Sequence, residues 1–220
     1  MPKYEWVDAE QALSTMAAND SKIHSLVGQG SVTMTDPKGQ TARLETAMAA
    51  VYPDYLRLRA WKMGQAVFDL TLKPEGLWLM IPEEMKKKET LIPAGTGAAQ
   101  FAKGISSLHA AFFNDIGLQI VENTRTTFAV ERRYDNGTNV RCDIDHDTLT
   151  ILKHTITSPD GKQYSIRYDR YDQINDAVVP RRIIAKGEKG TILIEFDDLQ
   201  VNVPTASGAF IPPKRAERMP

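Results

Sequence analysis

The sequence predicts a mainly β fold with some α, an antiparallel meander of about eleven strands and two helices in one domain. Three observations predict it. Apolar residues alternate with a period of two over most of the chain. Turn-forming tetrapeptides separate those runs at short intervals, which favours hairpin-linked strands over βαβ units. One central stretch, about residues 96–114, switches to a helical period.

The elements follow in order. A first helix is expected from about Val7 to Ser21, with Asp8 as its cap and Gln11 at capping-box spacing. Ala9, Ala12, Leu13, Met16 and Ala17 share one face of it. From Leu26 the period becomes two, and the first strand runs to Thr35. It ends at Asp36-Pro37-Lys38-Gly39, where Pro presets φ and Gly accepts positive φ. The second strand covers about Gln40 to Val51 and breaks at Tyr52-Pro53-Asp54. Tyr55–Trp61, Ala66–Leu72 and Leu77–Pro82 follow, joined by Lys62-Met63-Gly64-Gln65 and Lys73-Pro74-Glu75-Gly76.

Glu83 to Glu89 reads as a charged loop or helical turn around Lys86-Lys87-Lys88. Thr96 to Asn114 reads as a helix, stopped by Gly117. Strands then return at about Thr126–Tyr134, Thr138–Asp145, Leu149–Ser158, Gln163–Tyr171, Arg181–Lys186 and Thr191–Val201. Asn136-Gly137 marks a hairpin among them. Residues Asn202 to Pro220 form a tail rich in Pro and small side chains.

Composition narrows the function. The chain has 220 residues, 42% of them hydrophobic, enough for a sizeable core. Basic and acidic residues number 27 and 28, a net charge of −1, which removes the electrostatic case for a nucleic-acid partner. Cys142 is the sole cysteine; it alternates with Val140 and Ile144 and reads as a small apolar strand residue rather than a reactive thiol. No run of about 18 apolar residues spans a membrane. Met1-Pro2-Lys3-Tyr4-Glu5-Trp6 lacks the apolar stretch of a signal peptide.

No catalytic set emerges. His24, His109, His146 and His154 sit in no metalloprotease pattern, and neither a nucleophile elbow nor a phosphate loop is present. Gly95-Thr96-Gly97-Ala98 precedes a helix but lacks the lysine of a phosphate loop, so it reads as a hinge. Asp143-Ile144-Asp145-His146-Asp147 invites a Ca²⁺ reading. The sixth and twelfth places of such a loop, however, hold Thr148 and His154 instead of Gly and Glu. A non-enzyme without metal or cofactor is expected.

Several stretches resemble one family. Val27-Gly28-Gln29-Gly30-Ser31-Val32 and Pro37-Lys38-Gly39-Gln40 resemble its first strand and turn. Tyr52-Pro53-Asp54-Tyr55-Leu56-Arg57-Leu58 resembles the segment leading into its third strand, and Met63-Gly64-Gln65-Ala66-Val67-Phe68-Asp69-Leu70 resembles its third hairpin and the strand after it. Asp145-His146-Asp147-Thr148-Leu149 resembles a late hairpin. Val179-Pro180-Arg181-Arg182-Ile183, Asp198-Leu199-Gln200-Val201-Asn202 and Ala209-Phe210-Ile211-Pro212-Pro213 resemble its closing strands and tail. The family is the LolA/LolB-like superfamily of bacterial lipoprotein carriers and receptors. The resemblance covers most of the chain and rests on turn and strand patterns. It implies an incomplete β-barrel with a helical lid and an acyl-chain cavity, in the periplasm or at the outer membrane. It also implies a lipid-modified N-terminal Cys, which this sequence lacks.

The expected partner is a lipid or lipoprotein acyl chain, held by a monomer. The candidate cavity and lid residues are Met34, Met48, Leu58, Phe68, Leu70, Trp78 and Met80 on the strands. Phe101, Ile105, Leu108 and Phe112 join them as one helical stripe. Methionines suit a surface that must accept varied apolar ligands, although each one equally suits an ordinary core. Trp61 and Met63, beside the turn at Gly64, are candidate membrane contacts, because the resemblance places a protruding apolar residue just before that glycine. Lys86-Lys87-Lys88 reads first as a solvated loop, with contact to anionic headgroups as the second reading. The competing expectations are a structural or interaction protein of the cell envelope with a filled interior, and an enzyme of lipid metabolism, disfavoured by the missing catalytic set.

Overall fold

A computed structural model describes residues 1–83, 118–188 and 190–219. Among these residues lie one helix, α1 (Ala9–Asp20), and thirteen strands. The first half supplies β1 (Ser25–Thr35), β2 (Thr41–Val51), β3 (Tyr55–Lys62), β4 (Gln65–Lys73) and β5 (Gly76–Met80). The second supplies β6 (Gln119–Asn123), β7 (Thr127–Arg133), β8 (Asn139–Asp145), β9 (Ile151–Thr157), β10 (Gln163–Ile174), β11 (Ala177–Gly187), β12 (Gly190–Val201) and β13 (Glu217–Met219). The helix expected over about 96–114, with Phe101, Ile105, Leu108 and Phe112, lies outside the described residues. So do the Lys86-Lys87-Lys88 segment and the glycines from Gly95 to Gly104.

Two strands exceed the predicted eleven. β13 is too short to show a period, and β6 is exposed at every position, so no alternation marks it. β11 also begins earlier than the Arg181 expected for it. Asn175, with φ of 55°, turns the chain from β10 into β11 without a Gly or Pro to signal the turn.

All thirteen strands form one antiparallel sheet in the order β13-β5-β4-β3-β2-β1-β12-β11-β10-β9-β8-β7-β6. Every pairing joins sequence neighbours, except that β1 meets β12 and β13 meets β5. The β1–β12 ladder therefore joins the two meanders. The end strands β13 and β6 do not pair with each other, so the barrel stays incomplete, with α1 as its helical cover.

Local chemistry explains the ends of these elements. The Asp8 carboxylate accepts from Gln11 N–H at 2.8 Å and caps α1. Asp36 Oδ1 accepts from the Lys38 and Gln40 N–H groups and folds the first turn onto itself. At the β3–β4 tip, Met63 and Gly64 both take positive φ, 50° and 77°, the geometry that two-residue hairpins need.

Cross-strand partners share a face, so the register defines the interior. One row runs Leu199–Gly28–Met48–Leu58–Leu70–Leu79 across six strands. Its neighbours Leu26, Ala50, Leu56, Leu77 and Val201 extend the same inner face. The β1–β12 register shifts between Gln29 and Gly30. There the strands come so close that a Cβ on Gly30 would sit 1.9 Å from the Glu195 carbonyl oxygen. Such a bulge bends the sheet and raises its twist, which an incomplete barrel needs.

The outer face carries a buried ion cluster under the C-terminal tail. Asp69, 3% exposed, accepts two hydrogen bonds from Arg57, at 2.9 and 2.7 Å, and pairs with Arg59 at 3.2 Å. Arg57 donates onward to the Ala209 carbonyl at 2.8 Å, and Phe210 packs against Tyr55. The tail thus crosses the back of the first meander before β13 covers the edge of β5. Its start is fixed by Asn202, whose side chain accepts from His24 N–H and donates to the Lys22 carbonyl, both at 2.7 Å.

Candidate functional site: a cavity between the helix and the inner face

Small residues seat α1. Ala9, Ala12 and Met16 are its buried positions. Ala12 and Met16 join Phe128, Val130, Cys142, Ile144 and Leu149 in a cluster separate from the main core. The segment before the helix is anchored on the same side. Tyr4 N–H donates to the Asp147 carbonyl at 2.8 Å, and Trp6 stacks on His146 with centroids 3.8 Å apart.

The last turn of α1 overhangs a cavity of about 140 Å³. Met16, Asn19 and Asp20 form one wall, with Ile23 just beyond the helix. Leu26, Met48 and Tyr52 supply the floor from β1, β2 and the turn after them. Residues Thr148 to Ile151 close one end. Tyr168, Tyr171, Val179 and Ile183 come from β10 and β11, Phe196 and Leu199 from β12. The Thr148–Ile151 rim is held by Asp145, whose Oδ1 accepts from Asp147 N–H, Thr148 N–H and the Thr148 hydroxyl at 2.8–3.0 Å. That carboxylate oxygen is engaged with its own loop. Among the described residues no three His, Cys, Asp or Glu side chains converge on a metal-sized site.

The polar groups at the wall are mostly neutral. Tyr171 OH donates to the Ile151 carbonyl at 2.6 Å, and Tyr4 OH accepts from Asn19 Nδ2 at 2.7 Å. Tyr168 OH lies 3.3 Å from His154 Nδ1. Burial pushes Tyr52, Tyr168 and Tyr171 well above the ordinary phenol range, and the charge of Asp20 adds to this at Tyr52 and Tyr171. All three phenols are neutral at physiological pH. Burial also pushes the Cys142 thiol up, so it is inert as a nucleophile.

His154, 3% exposed, is pushed down to about 4 by the same loss of solvent. It is neutral in the folded protein, whereas the unfolded chain takes up its proton near the ordinary 6.5. Its contribution to stability is therefore complete above pH 6.5 and is lost as pH falls from there towards 4. Urea unfolding is expected to show up to roughly 3 kcal/mol of acid-linked loss from this group. His154→Phe should flatten that part of the profile between pH 7 and 5, whereas an unchanged profile would assign the loss elsewhere.

The sequence candidates distribute as follows. Met34, Met48, Leu58, Phe68 and Leu70 are buried in the main inner cluster, and Met48 reaches the cavity. Trp78 and Met80 sit on the outer face, opposite Thr71 and Asp69, with the Lys73 and Arg218 side chains 5.6 and 5.8 Å from the Trp78 ring centroid. Trp61 is on the outer face too, donating to the Glu45 carboxylate. Met63, at the hairpin tip, is 92% exposed. The tyrosines, the end of α1 and the Thr148–Ile151 rim went unrecognised in the sequence. Their signal was inward-facing tyrosine, an aromatic body with a polar handle.

No protein-family model matches the chain, and no curated protein matches it in sequence. Solved structures do. A domain named for outer-membrane lipoprotein sorting, from Vibrio parahaemolyticus, is 10% identical and superposes with a TM-score of 0.66 over 92% of this chain and 95% of that one. A LolA superfamily protein from Nitrosomonas europaea is 14% identical, with a TM-score of 0.62 over 91% and 96%. A DUF1329 family protein from Desulfovibrio piger is 13% identical, with a TM-score of 0.67 over 93% and 98%. The chain has a LolA-like fold.

Proposed function

We propose that the chain is a non-enzymatic carrier that holds lipid or lipoprotein acyl chains, acting as one domain and as a monomer in the periplasm or at the outer membrane. The observation that supports this most is the cavity beneath α1, walled mainly by apolar side chains in a fold shared with a lipoprotein-sorting domain. No helix among the described residues is long and apolar enough to cross a membrane.

At about 140 Å³ the cavity is comparable to one that holds a benzene ring. In this shape it takes the first stretch of a hydrocarbon chain. A longer stretch requires α1 to lift, which gives up the buried contacts of Ala9, Ala12 and Met16. The chain then extends along the inner face over Met48 and towards Met34, Leu58, Phe68 and Leu70, gaining about 0.8 kcal/mol per buried methylene. Trp78 and Met80, on the outer face, are left out of this binding surface. Met63, with Trp61 at the base of its hairpin, is the membrane-contact point, since a side chain 92% exposed at a tip is free to enter a lipid surface. The alternative, an interaction protein of the envelope, draws on β6, an exposed end strand carrying Ile120 and Val121.

Titration with the uncharged fluorescent probe N-phenylnaphthylamine tests the carrier reading. The wild-type chain is expected to bind it saturably. Val179→Phe, which places a ring in the cavity, should weaken binding about tenfold or more, at a stability cost of about 1–3 kcal/mol. Absence of saturable binding, or equal binding by a folded Val179→Phe variant, contradicts the reading.

A further inference from the structure

We propose that Tyr4 is the gating residue of the cavity: it bridges the Thr148–Ile151 rim to the last turn of α1, and hydrocarbon enters and leaves where that bridge opens. The proposal rests on the carrier reading and adds the route into the site.

The bridge is fastened differently at its two ends. On the rim side, the Tyr4 N–H donates to the carbonyl of Asp147, the residue before Thr148, at 2.8 Å. Two residues on, the Trp6 ring stacks on His146 with centroids 3.8 Å apart and meets Phe128 at 5.0 Å. His146 Nε2 lies 2.9 Å from Asn123 Oδ1, which fixes the imidazole under that stack. The backbone of this segment is thus secured to the sheet. On the helix side, the tie is a side-chain hydrogen bond. Asn19 Nδ2 donates to the Tyr4 hydroxyl at 2.7 Å, and Asn19 Oδ1 accepts from Lys22 Nζ at 3.0 Å. Tyr4, Asn19 and Thr148 all line the cavity, and all three are half-buried, so the cavity meets solvent at the bridge.

Opening the two ends asks for different amounts of free energy. Freeing Trp6 breaks an aromatic stack and exposes its apolar body. Turning the Tyr4 side chain to another rotamer breaks one neutral hydrogen bond, and both partners reach water at the half-exposed mouth. The tyrosine therefore yields first, while Ala12 and Met16 keep α1 seated on its own cluster. The same bond closes over an empty cavity and over a loaded one. Its removal lowers the barrier to entry and to exit alike and leaves the binding equilibrium nearly unmoved. A residue serving as wall alone would change affinity instead.

Stopped-flow binding and release of N-phenylnaphthylamine by Tyr4→Phe, Asn19→Ala and the double variant test the gate. Tyr4→Phe keeps the ring and removes the hydroxyl. Its association and dissociation rate constants should both rise about three- to tenfold, the kinetic equivalent of one neutral hydrogen bond, with Kd within about twofold of the parent. Asn19→Ala should do the same, and the double variant should be no faster than either single, because each loses the one bond. Unchanged rates in Tyr4→Phe, or a weaker Kd carried by dissociation alone, overturn the gate while leaving the carrier reading intact. Accelerations that multiply in the double variant overturn the Tyr4–Asn19 bond as the tie. If the parent chain does not bind the probe saturably, the carrier reading fails and the gate with it.

Discussion

Gly30→Ala is expected to cost about 3 kcal/mol or more in urea unfolding. The new Cβ would lie 1.9 Å from the Glu195 carbonyl oxygen and 2.9 Å from Phe196 Cα. Both obstacles are backbone, so no rotamer change relieves the contact. Relief requires β12 to move away from β1, and that ladder joins the two meanders. Gly64→Ala is the matched control. Its Cβ meets nothing within 4 Å, so only the positive φ of 77° opposes the change, at about 1 kcal/mol. Gly28 lies between these cases, because two of the three nearest atoms to its Cβ are side-chain carbons of Leu199 and Phe196. A Gly30→Ala protein as stable as Gly64→Ala would show that the bulge does not bind the two halves as tightly as this packing requires.

Asp69→Ala should cost about 3–5 kcal/mol, the range for removing one member of a buried ion pair. Arg57, whose side chain is 19% exposed, would keep its charge and lose a two-pronged acceptor. Arg59, at 60%, can turn to water and adds little. The effect reaches the tail, because Arg57 also holds the Ala209 carbonyl. Limited proteolysis should therefore cut after about residue 203 sooner in Asp69→Ala than in the parent, beside a lowered urea midpoint. Replacing Arg57 and Asp69 together by Met and Leu should recover most of the stability, since no charge is then left buried alone. If the single variant loses less than about 1 kcal/mol, the outer-face cluster is not what fastens the tail.

Much of the fold was legible because it is written in short-range chemistry. Asp8 with Gln11, Asp36 to Gly39, and Met63-Gly64 each specify a cap or turn within four residues, and the alternation between turns assigns one face inward. What escaped has physical causes. In Leu77-Trp78-Leu79-Met80 both faces are apolar, so the pattern gives the period but not its phase; Leu77 and Leu79 take the interior and send Trp78 and Met80 outward. In β10, Arg170 adopts φ of 53°, which lets Tyr168 and Tyr171, three residues apart, both line the cavity. A period-two reading places them on opposite faces. The β13 contact and the burial of Asp69 depend on a tail remote in sequence. The cavity itself is a property of packing between α1, the Thr148–Ile151 rim and the strands β1, β2, β10, β11 and β12, and no local pattern encodes a void.

The claim that hydrocarbon lodges beneath α1 is tested most directly by methyl NMR of the protein titrated with the glycerol monoester of lauric acid. The account predicts saturable shifts at Met16, Met48, Ile183 and Leu199, the methyl-bearing walls of the cavity, with Leu44, Leu77 and Ile144 nearly unmoved. Shifts confined to Met63 and other exposed positions, with the cavity methyls unchanged at saturating lipid, would contradict it.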